Sequence, residues 1–123
     1  MIGYVTLGVK DLDRAKDFYG TLFADKGAKW IWDMGRIHFL SMGRDKPMMA
    51  VCEPYNKGDP TPGNGAMVAF TAESKEEVDS LYKKAIDLGA TCDGPPGQRI
   101  PDRFYGAYVH DPDGNKICFY IFQ

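Results

Sequence analysis

The chain is predicted to be an α+β protein built from two βαβββ modules, and two observations predict it. The first is a repeat of order: a strand-like alternation followed by a helical stripe and further strand-like runs occurs once in each half. The second is a repeat of register, with Tyr4 opposite Met67, Asp11 opposite Ser74, Tyr19 opposite Tyr82, and Gly27-Ala28 echoing Gly89-Ala90. The predicted organisation is one domain over 1–123, with a first module at 1–53, a linker at 54–65 and a second module at 66–123.

Each element has its own signal. Residues 4–9 alternate as a half-buried strand, Asp11 is placed to cap a helix, and Leu12, Ala15, Tyr19 and Leu22 follow at helical spacing. Strand patterns then occupy 29–33, 36–42 and 48–53. In the second half a strand at 67–71 precedes Ser74-Lys75-Glu76-Glu77, a capping box, and Val78, Leu81, Tyr82, Ala85 and Leu88 form the helical stripe. Further strands are expected at 90–93, 105–110 and 116–122, with a long loop at 93–103 lying over a ligand cavity. The linker is dense in Pro and Gly. Each module alone is too short to bury both faces of its sheet, so a common core and cavity are expected.

Composition narrows the class. A chain of 123 residues with 44% hydrophobic and 26% charged residues is globular, and no apolar run is long enough for a bilayer. Met1 leads directly into a strand, without the pattern of a secretory signal, which points to the cytoplasm. Cys52, Cys92 and Cys118 have neither disulfide nor zinc-ribbon spacing. The net charge of -2 is spread along the chain, so neither nucleic acid nor a membrane surface is an expected partner.

Alternation sorts the strand side chains. Val5, Leu7 and Val9 are assigned to the first helix, leaving Tyr4, Thr6 and Gly8 on the other face; Val68 and Phe70 oppose Met67, Ala69 and Thr71; Ile117, Phe119 and Ile121 oppose Cys118 and Tyr120. A sheet with helices on one side leaves its other side as a ligand cup. Arg36 and His38 share a face by spacing and would suit an anionic or hydrogen-bonding ligand, and an outward solvated face explains them equally well. Trp30 and Trp32 share a face by the same rule, for stacking or packing. Arg99 and Arg103 are candidate anion clamps on the second loop, and Cys118 is a candidate nucleophile only if its thiolate is stabilised. No phosphate-binding glycine loop or serine elbow is present.

Three stretches carry a family resemblance: Gly8-Val9-Lys10-Asp11-Leu12 with Phe18-Tyr19, then Gly65-Ala66-Met67-Val68-Ala69-Phe70, then Phe104-Tyr105-Gly106-Ala107-Tyr108-Val109-His110-Asp111-Pro112-Asp113-Gly114-Asn115. The chain resembles the vicinal oxygen chelate superfamily of glyoxalase I, bleomycin-resistance proteins and extradiol dioxygenases. The resemblance implies paired βαβββ modules, a homodimer, and a divalent metal held by His, Glu or Gln on equivalent strands. Carried over, the ligand positions fall on Tyr4, Met67 and Cys118, with the fourth within 48–53, where only Glu53 has a carboxylate. That set is unsuited to a hard or borderline ion, so no metal and no other cofactor is expected. The resemblance also implies an aromatic near the ligand at Tyr105. The expected function is a metal-free cavity binding a small organic molecule, with Tyr4, Thr6, His38, Met67, Tyr105 and Cys118 against the ligand. The rival is a lyase, isomerase or transferase working without the usual metal site.

Overall fold

The repeat in the sequence becomes a repeat in strand order. In a computed structural model describing residues Met1–Gln123, the order is β1 (Tyr4–Gly8), α1 (Leu12–Leu22), β2 (Lys29–Asp33), β3 (Ile37–Ser41), β4 (Met48–Cys52), β5 (Val68–Thr71), α2 (Lys75–Asp87), β6 (Thr91–Ile100), β7 (Phe104–His110) and β8 (Lys116–Phe122). The chain divides into two units, Met1–Pro62 and Gly63–Gln123. Each holds one four-stranded mixed sheet, ordered β1-β4-β3-β2 in the first and β5-β8-β7-β6 in the second. In both, the first strand runs parallel to the last and the remaining pairs are antiparallel. The expected α+β fold of two βαβββ modules is the observed one. No helix is long and apolar enough to cross a membrane.

The helix starts follow from their caps. The Asp11 carboxylate accepts from the Arg14 amide, and the Ser74 hydroxyl accepts from the Glu77 amide. Glu77 reaches back past Ser74 to accept from the Glu73 amide at 2.6 Å. After α1 a 3-10 turn at Ala24–Lys26 ends on Gly27 at φ 79°, and Gly89 at φ 108° follows α2, left-handed conformations that glycine adopts without strain.

Helix-facing side chains form the core of each unit. In the first these include Leu7, Val9, Ala15, Phe18, Tyr19, Leu22, Leu40, Met49 and Val51; in the second, Val78, Leu81, Ala85, Ala107, Val109, Ile117 and Phe119. The β7–β8 turn is organised by Asp111, which accepts from the Asp113 and Asn115 amides and from Asn115 Nδ2 while nearly fully buried.

Two sequence expectations need correction. The 93–103 segment is not a long loop: β6 continues through Gly94-Pro95-Pro96-Gly97 to Ile100, pairing with β7 across three register shifts. Proline is admissible there because β6 is an edge strand with one side free of ladder bonds. Trp30 and Trp32 do not share a face, because Trp30 pairs with Leu40 whereas Trp32 pairs with the very next residue, Phe39. The extra residue, Ile31, makes a bulge that reverses the alternation. Trp30 therefore lies against α1, where a Cβ at Gly20 would stand 2.8 Å from its Nε1, and Trp32 turns to the opposite side.

Candidate functional site

The side of each sheet away from its own helix is the natural place to look for a ligand surface. In the first unit strand pairing puts Tyr4, Thr6, Gly8, Met48, Ala50, Cys52, Ile37, Phe39 and Trp32 on that side, since paired residues in a ladder share a face. Phe39 is its centre, touched edge-on by Tyr4 at 5.0 Å and by Trp32 at 5.7 Å between ring centroids. Tyr4 and Trp32 remain about half exposed. The surface is aromatic and uncharged.

His38 is not part of it. It pairs with Val51 on the α1 side and is 8% exposed, with Nε2 3.1 Å from the Gly35 carbonyl oxygen and 3.4 Å from Asp33 Oδ1. Arg36 precedes β3; its Nη1 donates to the Glu53 carbonyl at 3.0 Å and its guanidinium lies 5.1 Å from the Tyr55 ring centroid. Arg36, Tyr55 and Glu53 line a half-open cleft of ≈ 370 Å³ formed where residues 54–60 fold back on the end of β1, and His38 does not border it. The expected pairing of Arg36 with His38 on one surface is thus not realised.

In the second unit the corresponding side carries Ala69, Thr71, Cys118, Tyr120, Phe122, Phe104, Gly106 and Tyr108. Met67 stands one residue before β5 and is 45% exposed. Cys118 is fully buried, and burial pushes its thiol up to about 11, a shift that the Tyr108 hydrogen bond and the charges of Arg99 and Lys116 only partly oppose. Such a thiol stays protonated and is a poor nucleophile at neutral pH. Burial likewise raises the Tyr108 phenol. Around these two groups stand Arg99, whose guanidinium is 5.5 Å from the Tyr108 ring centroid, and Lys116, whose Nζ is 5.3 Å from it. Lys116 also pairs with Asp93 at 3.0 Å, which holds that carboxyl below its ordinary range, and His110 approaches the same carboxylate at 3.3 Å.

Tyr105 faces the other way. It pairs with Ile121 on the α2 side, its hydroxyl donates to Asp79 Oδ1 of α2 at 2.6 Å, and Lys75 of α2 lies 5.4 Å from its ring centroid. That hydrogen bond is the main reason its phenol is raised. Of the six residues predicted to meet a ligand, Tyr4 and Thr6 therefore share one open sheet face, Cys118 occupies the other with Met67 just ahead of its first strand, and His38 and Tyr105 lie on helix sides. Tyr108 and Phe39 carried no sequence expectation, whereas Arg99 was expected as an anion clamp on a loop and Trp32 on a face shared with Trp30. The alternation Phe104, Gly106, Tyr108 was the available signal for Tyr108, and it needs the β7–β8 register to be read.

Register also identifies the strand position that corresponds to Cys118 in the first unit, the fourth of the positions that the resemblance implied. Thr6, two residues after Tyr4, pairs with Ala50; Ala69, two residues after Met67, pairs with Cys118. The equivalent of Cys118 in the first unit is accordingly Ala50, and Glu53 lies beyond β4 in the cleft. Taken unit by unit, a phenol and a methyl in the first and a thioether and a thiol held at about 11 in the second supply none of the His or carboxylate groups that a hard or borderline divalent ion takes. No group of three or more His, Cys, Asp or Glu side chains is placed to hold a metal.

Residues 1–119 match the family model of the Glyoxalase/Bleomycin resistance protein/Dioxygenase superfamily. A glyoxalase/bleomycin resistance protein from Albidiferax ferrireducens T118 is 34% identical, with a TM-score of 0.89 over 100% of this chain and 99% of that one. Two solved structures share the fold at lower identity. Lactoylglutathione lyase from Agrobacterium tumefaciens is 24% identical, with TM-score 0.72 over 98% of this chain and 92% of that one. The genomically encoded fosfomycin resistance protein FosX from Listeria monocytogenes is 21% identical, with TM-score 0.77 over 100% and 93%. No curated protein sequence matches the chain.

Proposed function

The chain belongs to the glyoxalase/bleomycin resistance protein/dioxygenase superfamily, and from that premise we propose that it binds a small organic molecule without the help of a metal ion. One observation carries the reading: the four equivalent strand positions hold Tyr4, Ala50, Met67 and Cys118, which supply soft, apolar or protonated groups in place of His and carboxylate. Met and a buried thiol act as adaptable apolar surface. The aromatic groups beside them, Phe39 and Trp32 in one unit and Tyr108 and Tyr120 in the other, favour an organic ligand over an ion. A thiol held at about 11 argues against covalent catalysis through Cys118.

The reading includes a homodimer. Ile2, Trp32, Met34, Ile100 and Phe122 are large apolar side chains left at least half exposed, and a second copy would cover them on this reading. Sedimentation at micromolar concentration gives a dimer on this account, and a monomer alone removes that part of it.

The test of function is a thermal-shift panel of small organic molecules in the presence of chelator, with each mixture analysed for chemical change. A true ligand raises the melting temperature, with about 2.7 kcal/mol of stabilisation at one hundred times its Kd, and is recovered unchanged. Consumption of the ligand would replace the binding reading with an enzymatic one.

A further inference from the structure

The second unit contains an arginine that is placed rather than merely solvated. Arg99 lies on the edge strand β6, and its guanidinium folds back along that strand, where Nη2 donates to the Pro95 carbonyl. Room for this comes from two glycines. A Cβ at Gly97 would stand 2.7 Å from Arg99 Nη1, and a Cβ at Gly94 would stand 3.2 Å from Nη2 and 3.0 Å from the Tyr108 ring. A side chain at Gly97 would force the guanidinium to shift from its seat over Tyr108, and one at Gly94, where φ is 157°, would crowd both the guanidinium and the ring. The Gly94-Pro95-Pro96-Gly97 run thus serves as a cradle, with a carbonyl on one side and a phenol ring beneath.

The charge so positioned is not cancelled by a carboxylate. Asp93, the acid of this cluster, is taken up by Lys116 at 3.0 Å and His110 at 3.3 Å, whereas Arg99 is matched by a carbonyl and a ring. Lys116 adds a second cation over the same phenol. An exposed guanidinium whose orientation is already fixed loses little freedom when it takes an oxyanion, which is the condition for strong planar recognition of carboxylate or phosphonate.

Apolar surface adjoins this corner. On the same face of β7, Phe104 stacks on Tyr120 at 5.2 Å with an interplanar angle of 6°, and Phe122 meets both edge-on. Gly106 separates Phe104 from Tyr108 and adds no side chain, so Tyr108, against which the Arg99 guanidinium lies, stands about 13 Å along β7 from Phe104.

We infer that this face recognises a small organic acid, with Arg99 receiving the anionic head group and the Phe104–Tyr120 stack receiving an aromatic or apolar body. The inference rests on the reading of the chain as a small-molecule binder and names the chemical class of the ligand.

The probes are 3-phenylpropionate and its neutral amide, titrated by calorimetry into the full chain and its variants. The acid is expected to bind at least about tenfold more tightly than the amide, a preference that one desolvated charge-assisted contact supplies. Arg99→Gln should abolish the preference while leaving amide affinity in place. Gly97→Ala should do the same with the charge retained, and Arg99→Lys should keep part of it. Melting temperatures within a few degrees of the parent establish that each variant folds. Equal affinity for acid and amide, or an unaltered preference in Arg99→Gln, overturns the inference, as does binding of neutral panel compounds when neither probe binds. In each of these cases the small-molecule reading survives. Absence of binding by both probes and by the whole panel removes the two together.

Discussion

The two units have matching strand orders and matching pairings, yet their open sheet faces have diverged. In the first unit that face is aromatic and neutral, with Tyr4 and Trp32 around Phe39. In the second it has Arg99, and Lys116 paired with Asp93, over a half-buried phenol and a buried thiol. The helix-facing sides contrast less: an apolar, buried core dominates both, with His38 at the margin of one and the Tyr105–Asp79 pair at the margin of the other. The difference separates what a duplicated scaffold must keep from what it is free to change. Positions that hold a helix against a sheet stay hydrophobic because they form the core within each unit. On the small-molecule reading, open-face positions answer to the ligand instead.

If that division holds, the largest losses come from the shared side. Phe119→Ala on β8 and Leu40→Ala on β3 both remove fully buried side chains packed toward a helix, and should cost about 3–5 and 2–5 kcal/mol respectively in denaturant unfolding. A cost below about 1 kcal/mol for either would show that its unit does not depend on a packed core.

The next contrast is between hairpin turns. Asp111→Ala strands the buried Asn115 amide, the part-buried Asp113 amide and the Asn115 side chain, for an expected loss of about 1–3 kcal/mol. Ser41→Ala, at the start of the β3–β4 turn, deletes one half-exposed 3.3 Å bond to the Gly43 amide and should cost a few tenths of a kcal/mol. Equal effects would mean the two turns carry the same structural duty.

How much of this was legible in the sequence depended on the kind of signal. Both helices and the strands β2 and β8 are readable to their ends, because a cap, a helical stripe or a bounded run of β-formers specifies them locally. β6 is not, since its Gly94-Pro95-Pro96-Gly97 run carries loop chemistry, and only pairing with β7 makes a strand of it. Side-chain facing failed where alternation was interrupted or never consulted. The Ile31 bulge sends Trp32 to the face opposite Trp30, and no residue type there announces it. Tyr105 was assigned by resemblance, while the alternation of Phe104, Gly106 and Tyr108 against Tyr105, Ala107 and Val109 places it toward α2. The missing fourth ligand needed register as well, because only the pairing of Thr6 with Ala50 distinguishes Ala50 from Glu53.

A smaller effect separates the cysteines. Cys92 is exposed and Cys118 buried, so alkylation at pH 8 should label Cys92 and leave Cys118 unmodified in the folded protein. The folded thiol of Cys118 ionises near 11 and an unfolded one near about 8.5, so the unfolded state releases its proton first. The stability this thiol contributes is therefore complete below about pH 8.5 and declines as pH rises toward 11. Labelling of Cys118 as fast as Cys92, or stability flat across that range, would contradict the burial that defines this face.

The most direct test of the metal-free reading is elemental analysis of the purified protein together with its melting temperature in chelator. Tyr4, Ala50, Met67 and Cys118 predict no stoichiometric nickel, zinc, iron or manganese and a melting temperature that chelator leaves unchanged. Near one tightly held ion per chain, with a melting temperature that falls when it is stripped, would contradict the account.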